Sequence, residues 1–165
     1  MKKSISTQQT PANVAAVMQI LTDTPTQLER LSAALSPEQL RTPLGVGERS
    51  LTEDMAHLIN VETRSSEAIY MALLAHEPLF SDIHPEREWG KLLRHEQFEF
   101  AELLAYFKFR RVVLLRVLNG LNDTQWARVI REEGKQRKES VYWRARTIAL
   151  HELEHLTDLE TKLQK

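Results

Sequence analysis

Apolar residues recur along this chain at helical spacing. Val14, Val17, Met18, Leu21, Leu28, Leu31 and Leu35 form one stripe and predict a helix over about 12–35. Thr24-Pro25 lies inside it and predicts a kink or restart, because proline has no N–H to donate. Ser36-Pro37-Glu38 reads as an N-cap, a first-turn proline and an acid, so a short helical turn follows. Ser50 with Glu53 three residues on is a capping box, opening a second helix over about 51–75. Its stripe is Leu51, Met55, Leu58, Val61, Ile69 and Ala72. A third helix is expected over about 98–119, stopped at Asn119-Gly120, and a fourth over about 139–163. Between them, 76–97 and 121–138 read as long connections, with room for helical turns within Glu86–His95 and Asp123–Arg128. No alternating pattern marks a strand. The expectation is an all-α four-helix bundle with long inter-helix connections, one domain over residues 1–165.

Charge and composition narrow the function classes. The net charge of −1 argues against a protein that binds nucleic acid through counterion release. No apolar run reaches transmembrane length, so no membrane span is expected. The polar N-terminus lacks a signal-peptide core, and a cytoplasmic protein is the expectation. There are no cysteines, which excludes disulfides, thiolate metal sites and a cysteine nucleophile. A metal would need nitrogen and oxygen ligands.

His151-Glu152-Leu153-Glu154-His155 carries the most specific chemistry. Histidines four residues apart lie about 40° apart on one helical face, where one ion can take both imidazoles. His57 sits at the edge of the second helix's apolar stripe. If the two helices are neighbours, three histidines can converge into a site with open positions for water or substrate. Glu152 falls in the middle of the fourth helix's apolar stripe, so it is either a functional acid, a candidate general base, or paired with a cation inside the bundle. Asp54, Glu62 and Asp158 are candidates for a layer of acids behind the ligands; the plainer reading makes them salt-bridge partners. His76, His84 and His95 read as solvated loop residues, although Trp89 and Phe98 give the His95 loop a means of folding over a pocket. Arg110 and Arg111 read as residues of the solvated or boundary face of the third helix, and Arg128–Lys138 as an exposed loop. The motif also fits the His-Glu-x-x-His of zinc peptidases. Their extended pattern would need Gly at 158 and His at 161, where Asp158 and Thr161 stand.

Ser50-Leu51-Thr52-Glu53-Asp54-Met55-Ala56-His57-Leu58 resembles the second-helix motif of the DinB/YfiT-like family, and Trp143-Arg144 through His155-Leu156 resembles its fourth-helix motif. Leu35-Ser36-Pro37-Glu38-Gln39-Leu40 extends the likeness. The resemblance implies up-down-down-up helix order and one divalent metal, zinc or nickel, on His57, His151 and His155. It further implies a small-molecule substrate, hydrolase or thiol-transferase chemistry with a low-molecular-weight thiol, and a homodimer. Two positions depart from the family: Arg49 stands where tryptophan is usual, and Asp54 where an apolar residue is usual. Asp54 is a candidate to orient His57. The competing reading is a metal-binding or stress-related bundle without catalysis.

Overall fold

The computed structural model describes residues 5–164. Four long helices, α1 (Pro11–Ser32), α3 (Leu51–Leu74), α5 (Phe100–Asn119) and α7 (Val141–Leu163), make the bundle. Short helices α2 (Pro37–Arg41), α4 (Lys91–Leu93) and α6 (Asp123–Trp126) lie in the connections, with a π-helical turn at Pro85–Gly90 and a 3-10 turn at His95–Gln97. Capping follows the sequence. The Ser50 hydroxyl accepts from Glu53 N at 3.2 Å while Glu53 Oε2 accepts from Ser50 N at 2.7 Å.

Contacts between helix ends give the directions. Tyr142 donates to Ser6 O and Arg146 to Ile5 O at the start of α1 and α7, and Arg30 pairs with Glu160 at their ends, so these two helices run parallel. Lys108 of α5 pairs with Glu29 near the end of α1, and Arg111 reaches back to Leu21, so α5 runs against α1. Asp54 near the start of α3 meets His155 late in α7, so that pair is antiparallel. The order is up-down-down-up. Both α1 and α3 pack on α5 and α7, which places the consecutive helices α1 and α3 diagonally across the bundle.

Two apolar clusters fill the interior. One gathers Val17, Leu21, Ile69, Leu114, Leu118 and Tyr142; the other gathers Leu28, Met55, Leu58, Phe107, Leu156 and Leu159. At the level between them lies a charged group to which all four long helices contribute. Arg111 of α5 donates to Glu152 of α7 at 2.5 and 3.0 Å, to Glu62 of α3 at 2.8 Å, and to the Leu21 carbonyl of α1 at 2.7 Å. Burial lowers the arginine's proton affinity, but the two facing carboxylates outweigh it and hold Arg111 charged.

Three expectations are corrected. Helix α1 runs unbroken through Pro25, without the restart. Arg111 is a core residue, 1% exposed, not a boundary one. The 121–138 connection is not simply an exposed loop: β2 (Val129–Glu132) pairs in parallel with β1 (Leu79–Phe80) and antiparallel with β3 (Glu139–Ser140). Along β2, Ile130 and Glu132 alternate inward. The inward glutamate, satisfied by Arg144, hides the apolar alternation that would have marked the strand.

Candidate metal centre

His57 lies two turns into α3, and His151 and His155 one turn apart on α7, where the antiparallel pair brings them face to face. The three rings form a triangle with centroids 5.0, 4.9 and 4.6 Å apart. His57 Nε2 faces His151 Nε2 at 3.1 Å, and one ring nitrogen from each histidine lies within 4.8 Å of the others. The rings are half-buried.

The donor set fits a divalent ion. Zinc–imidazole bonds of about 2.0–2.1 Å put tetrahedral nitrogens roughly 3.3 Å apart, close to the His57–His151 spacing. Burial, reinforced by the neighbouring rings, pushes His151 down to about 4; burial, His57 and Arg49 do the same for His155. These imidazoles therefore present lone pairs at neutral pH, the form that binds metal. His151 Nδ1 is buried with no hydrogen-bond partner, so protein groups alone leave this cluster incompletely satisfied. Among the described residues the group that can hold an ion comprises these three histidines and no fourth side chain.

Two carboxylates stand behind the rings. Glu86 Oε1 lies 2.9 Å from His57 Nδ1, and Asp54 Oδ1 lies 3.6 Å from His155 Nδ1. The Glu86 approach is close but too oblique to count as an aligned hydrogen bond, so His57 Nδ1 is left without one despite the short distance. Arg49 spans both acids, 3.7 Å from Asp54 and 3.6 Å from Glu86. Burial raises the Asp54 carboxyl, only partly offset by Arg49. Burial also acts to raise Glu86, but His57, Asn60 and Arg49 more than reverse it and hold Glu86 below the usual carboxylate range.

Glu86 arrives on the π-helical turn of the 85–97 segment. His84 caps that turn, its Nδ1 accepting from Glu86 N and Arg87 N. Asn60 of α3 ties the segment down, with its amide nitrogen 3.4 Å from Glu86 Oε1 and its oxygen 2.8 Å from His95 Nδ1. A Cβ at Gly90 would stand 3.2 Å from that same amide nitrogen, so glycine permits the close approach. His95 is thus half-buried and hydrogen-bonded, not a freely solvated loop residue as expected, whereas His76 and His84 are exposed. Between this segment and α3 opens a cavity of about 480 Å³ bordered by His57, Arg49, Glu86, Lys91 and Arg94.

The structure brings together His57, His151, His155 and Asp54, the last facing His155 where His57 was expected. It places three other candidates elsewhere. Glu152 does point inward, but both its oxygens are held by Arg111, the cation-paired alternative to a general base. Glu62 shares that arginine, and Asp158 is exposed and pairs with Lys162 at 2.6 Å. Glu86 and Asn60 were missed. The only sequence signal for Glu86 was its place in a helical turn of a long connection, which does not tell which face of the bundle the turn covers.

Comparisons with known proteins agree with this architecture. YfiT from Bacillus subtilis, described as a probable metal-dependent hydrolase with an unusual four-helix bundle topology, aligns with a TM-score of 0.84 over 99% of this chain and 94% of its own, at 16% identity. At that identity the likeness establishes the shared fold. No curated protein matches the chain. The family model of the DinB superfamily matches residues 20–159, most of the sequence including all three histidines, and the chain belongs to that superfamily.

Proposed function

We propose that this protein is a divalent-metal-dependent hydrolase acting on a small molecule, with His57, His151 and His155 holding the ion. The observation that carries the reading is the convergence of three imidazoles from two helices, with two ring nitrogens facing each other at 3.1 Å. The description of YfiT supports hydrolysis as the reaction class. Zinc and nickel both suit such a nitrogen set. A divalent ion there would supply a Lewis acid and acidify a coordinated water toward neutrality. The chain's own residues bind and orient. His57 borders the cavity, and Arg49, Lys91 and Arg94 give its wall donors for carbonyl or anionic oxygens. Glu152 is not given the base role, since Arg111 occupies its carboxylate.

The lack of a fourth protein ligand among the described residues favours a catalytic site over a purely structural one. Neutral ligands leave the ion's full charge to act on an exogenous group. That also suits activation of a low-molecular-weight thiol as thiolate, so thiol transfer is the second reading. We read the outward stripe of α5, with Tyr106, Phe109, Val112 and Val113 exposed, as a homodimer face. No helix among the described residues is long and apolar enough to cross a membrane.

The test is metal analysis of protein purified without a histidine tag, followed by a panel of ester, amide and thiol-transfer substrates with and without chelator. One zinc or nickel per chain, lost in His57→Ala, with chelator-sensitive hydrolysis, is expected. A metal-free wild type that takes up neither ion on dialysis overturns the reading.

A further inference from the structure

We propose that Glu86 is the positioning residue for His57: from the 85–97 segment its carboxylate holds the Nδ1–H form of the ring, which turns the Nε2 lone pair toward His151 and His155. The inference rests on the metal reading above and extends it to a part of the chain outside the ligand helices.

Three observations converge. Glu86 Oε1 is 2.9 Å from Nδ1, the nitrogen opposite the one that faces the triad. Neutral imidazole carries its proton on one nitrogen only, so an acceptor at Nδ1 decides which nitrogen is left to bind a metal. Glu86 is itself held: Asn60 contacts the same Oε1 and Arg49 lies 3.6 Å from Oε2. Finally, the supporting segment is built to sit close, with His95 on Asn60 and glycine at the tight approach of residue 90. An isolated neutral histidine side chain prefers the Nε2–H form, which would turn a proton into the site. Without an acceptor at Nδ1, part of each binding event would go to reversing that preference.

The test uses the whole protein, with zinc as probe, and two readouts. In metal-free protein, 15N–1H correlation spectra of the imidazoles report the tautomer of His57, assigned by its absence in His57→Ala. In titrations against a competing chelator, zinc affinity is measured for wild type, Glu86→Ala and Glu86→Gln. We expect the Nδ1–H form in wild type, a shift toward Nε2–H in Glu86→Ala, and a zinc affinity about 10- to 100-fold weaker, with Glu86→Gln falling between because its amide oxygen still accepts. Unchanged circular dichroism in the glutamine variant keeps the comparison on folded protein. Zinc affinity within twofold of wild type in Glu86→Ala overturns the proposal, as does weakened affinity with an unaltered His57 tautomer, which would make the effect one of charge alone. Wild-type protein that binds no zinc defeats the metal reading instead; the tautomer spectra still decide whether Glu86 sets the ring.

Discussion

Arg111 donates to the main-chain carbonyl of Leu21, and that carbonyl is available because Pro25, four residues on, has no N–H to give it. An arginine from another helix thus takes the place of the missing helical donor. This contact explains why a proline persists inside an unbroken α1, and it anchors the buried group formed with Glu62 and Glu152. Replacing Arg111 with methionine leaves the buried Glu152 carboxylate without its cation and Glu62 with only Arg110, 3.6 Å away. We expect a loss of about 3–5 kcal/mol in urea unfolding, with much of it recovered when Glu62→Gln and Glu152→Gln are added. A single substitution that costs less than 1 kcal/mol would show that the group is not held as described.

Glu152 lies beside His151 in sequence, yet its role is distinct from that of the ligand. Held by Arg111, it should matter for stability and not for ligation. Glu152→Gln is expected to lower unfolding free energy by roughly 2–3 kcal/mol while still binding one zinc per chain. His151→Ala should reverse that pattern, losing the metal and retaining the fold. Plasma emission analysis beside denaturation curves checks both.

The metal-free protein should weaken as the solution is acidified. His151 and His155 have folded-state values of about 4, below the ordinary 6.5 of the unfolded chain. Above pH 6.5 neither state takes up a proton at these sites. Between 6.5 and about 4 the unfolded state binds protons that the folded state refuses, so stability falls; below about 4 this contribution levels off. Urea midpoints across that range, compared with His151→Phe, should show a shallower slope in the variant.

Phe109 and Val112 are 68% and 64% exposed on the outward face of α5. If two copies meet there, Phe109→Glu should shift sedimentation from dimer to monomer without changing zinc content. A wild type that sediments as a monomer at tens of micromolar removes that assignment.

Helix limits were legible to within a few residues because caps and stripes are local: Ser50 with Glu53 announces α3 directly. The three histidines were legible because each lies at the margin of a stripe and two share a helical face. The partners of those histidines were not. Whether Asp54 serves His57 or His155 depends on the rotation of α3 against α7, which wheel positions do not specify. Glu86 depends on how a connection folds back over α3 through Asn60 and Gly90, contacts between residues some thirty positions apart. Arg111 looked like an ordinary helix-surface cation because local pattern cannot anticipate two inward acids and a carbonyl left open by a proline on a third helix.

His57 and His151 stand 94 residues apart in the chain, yet their ring nitrogens nearly touch. An ion bridging them would act as a reversible staple across more than half of the sequence. Its grip on stability would come partly from the denatured ensemble, which loses loop entropy whenever such a link persists, by an amount that grows only slowly with loop length. Assembly order follows as well. The first ligand exists as soon as α3 forms, but the clasp closes only after the last helix docks, so ion capture would report completion of the bundle and guard it against reopening.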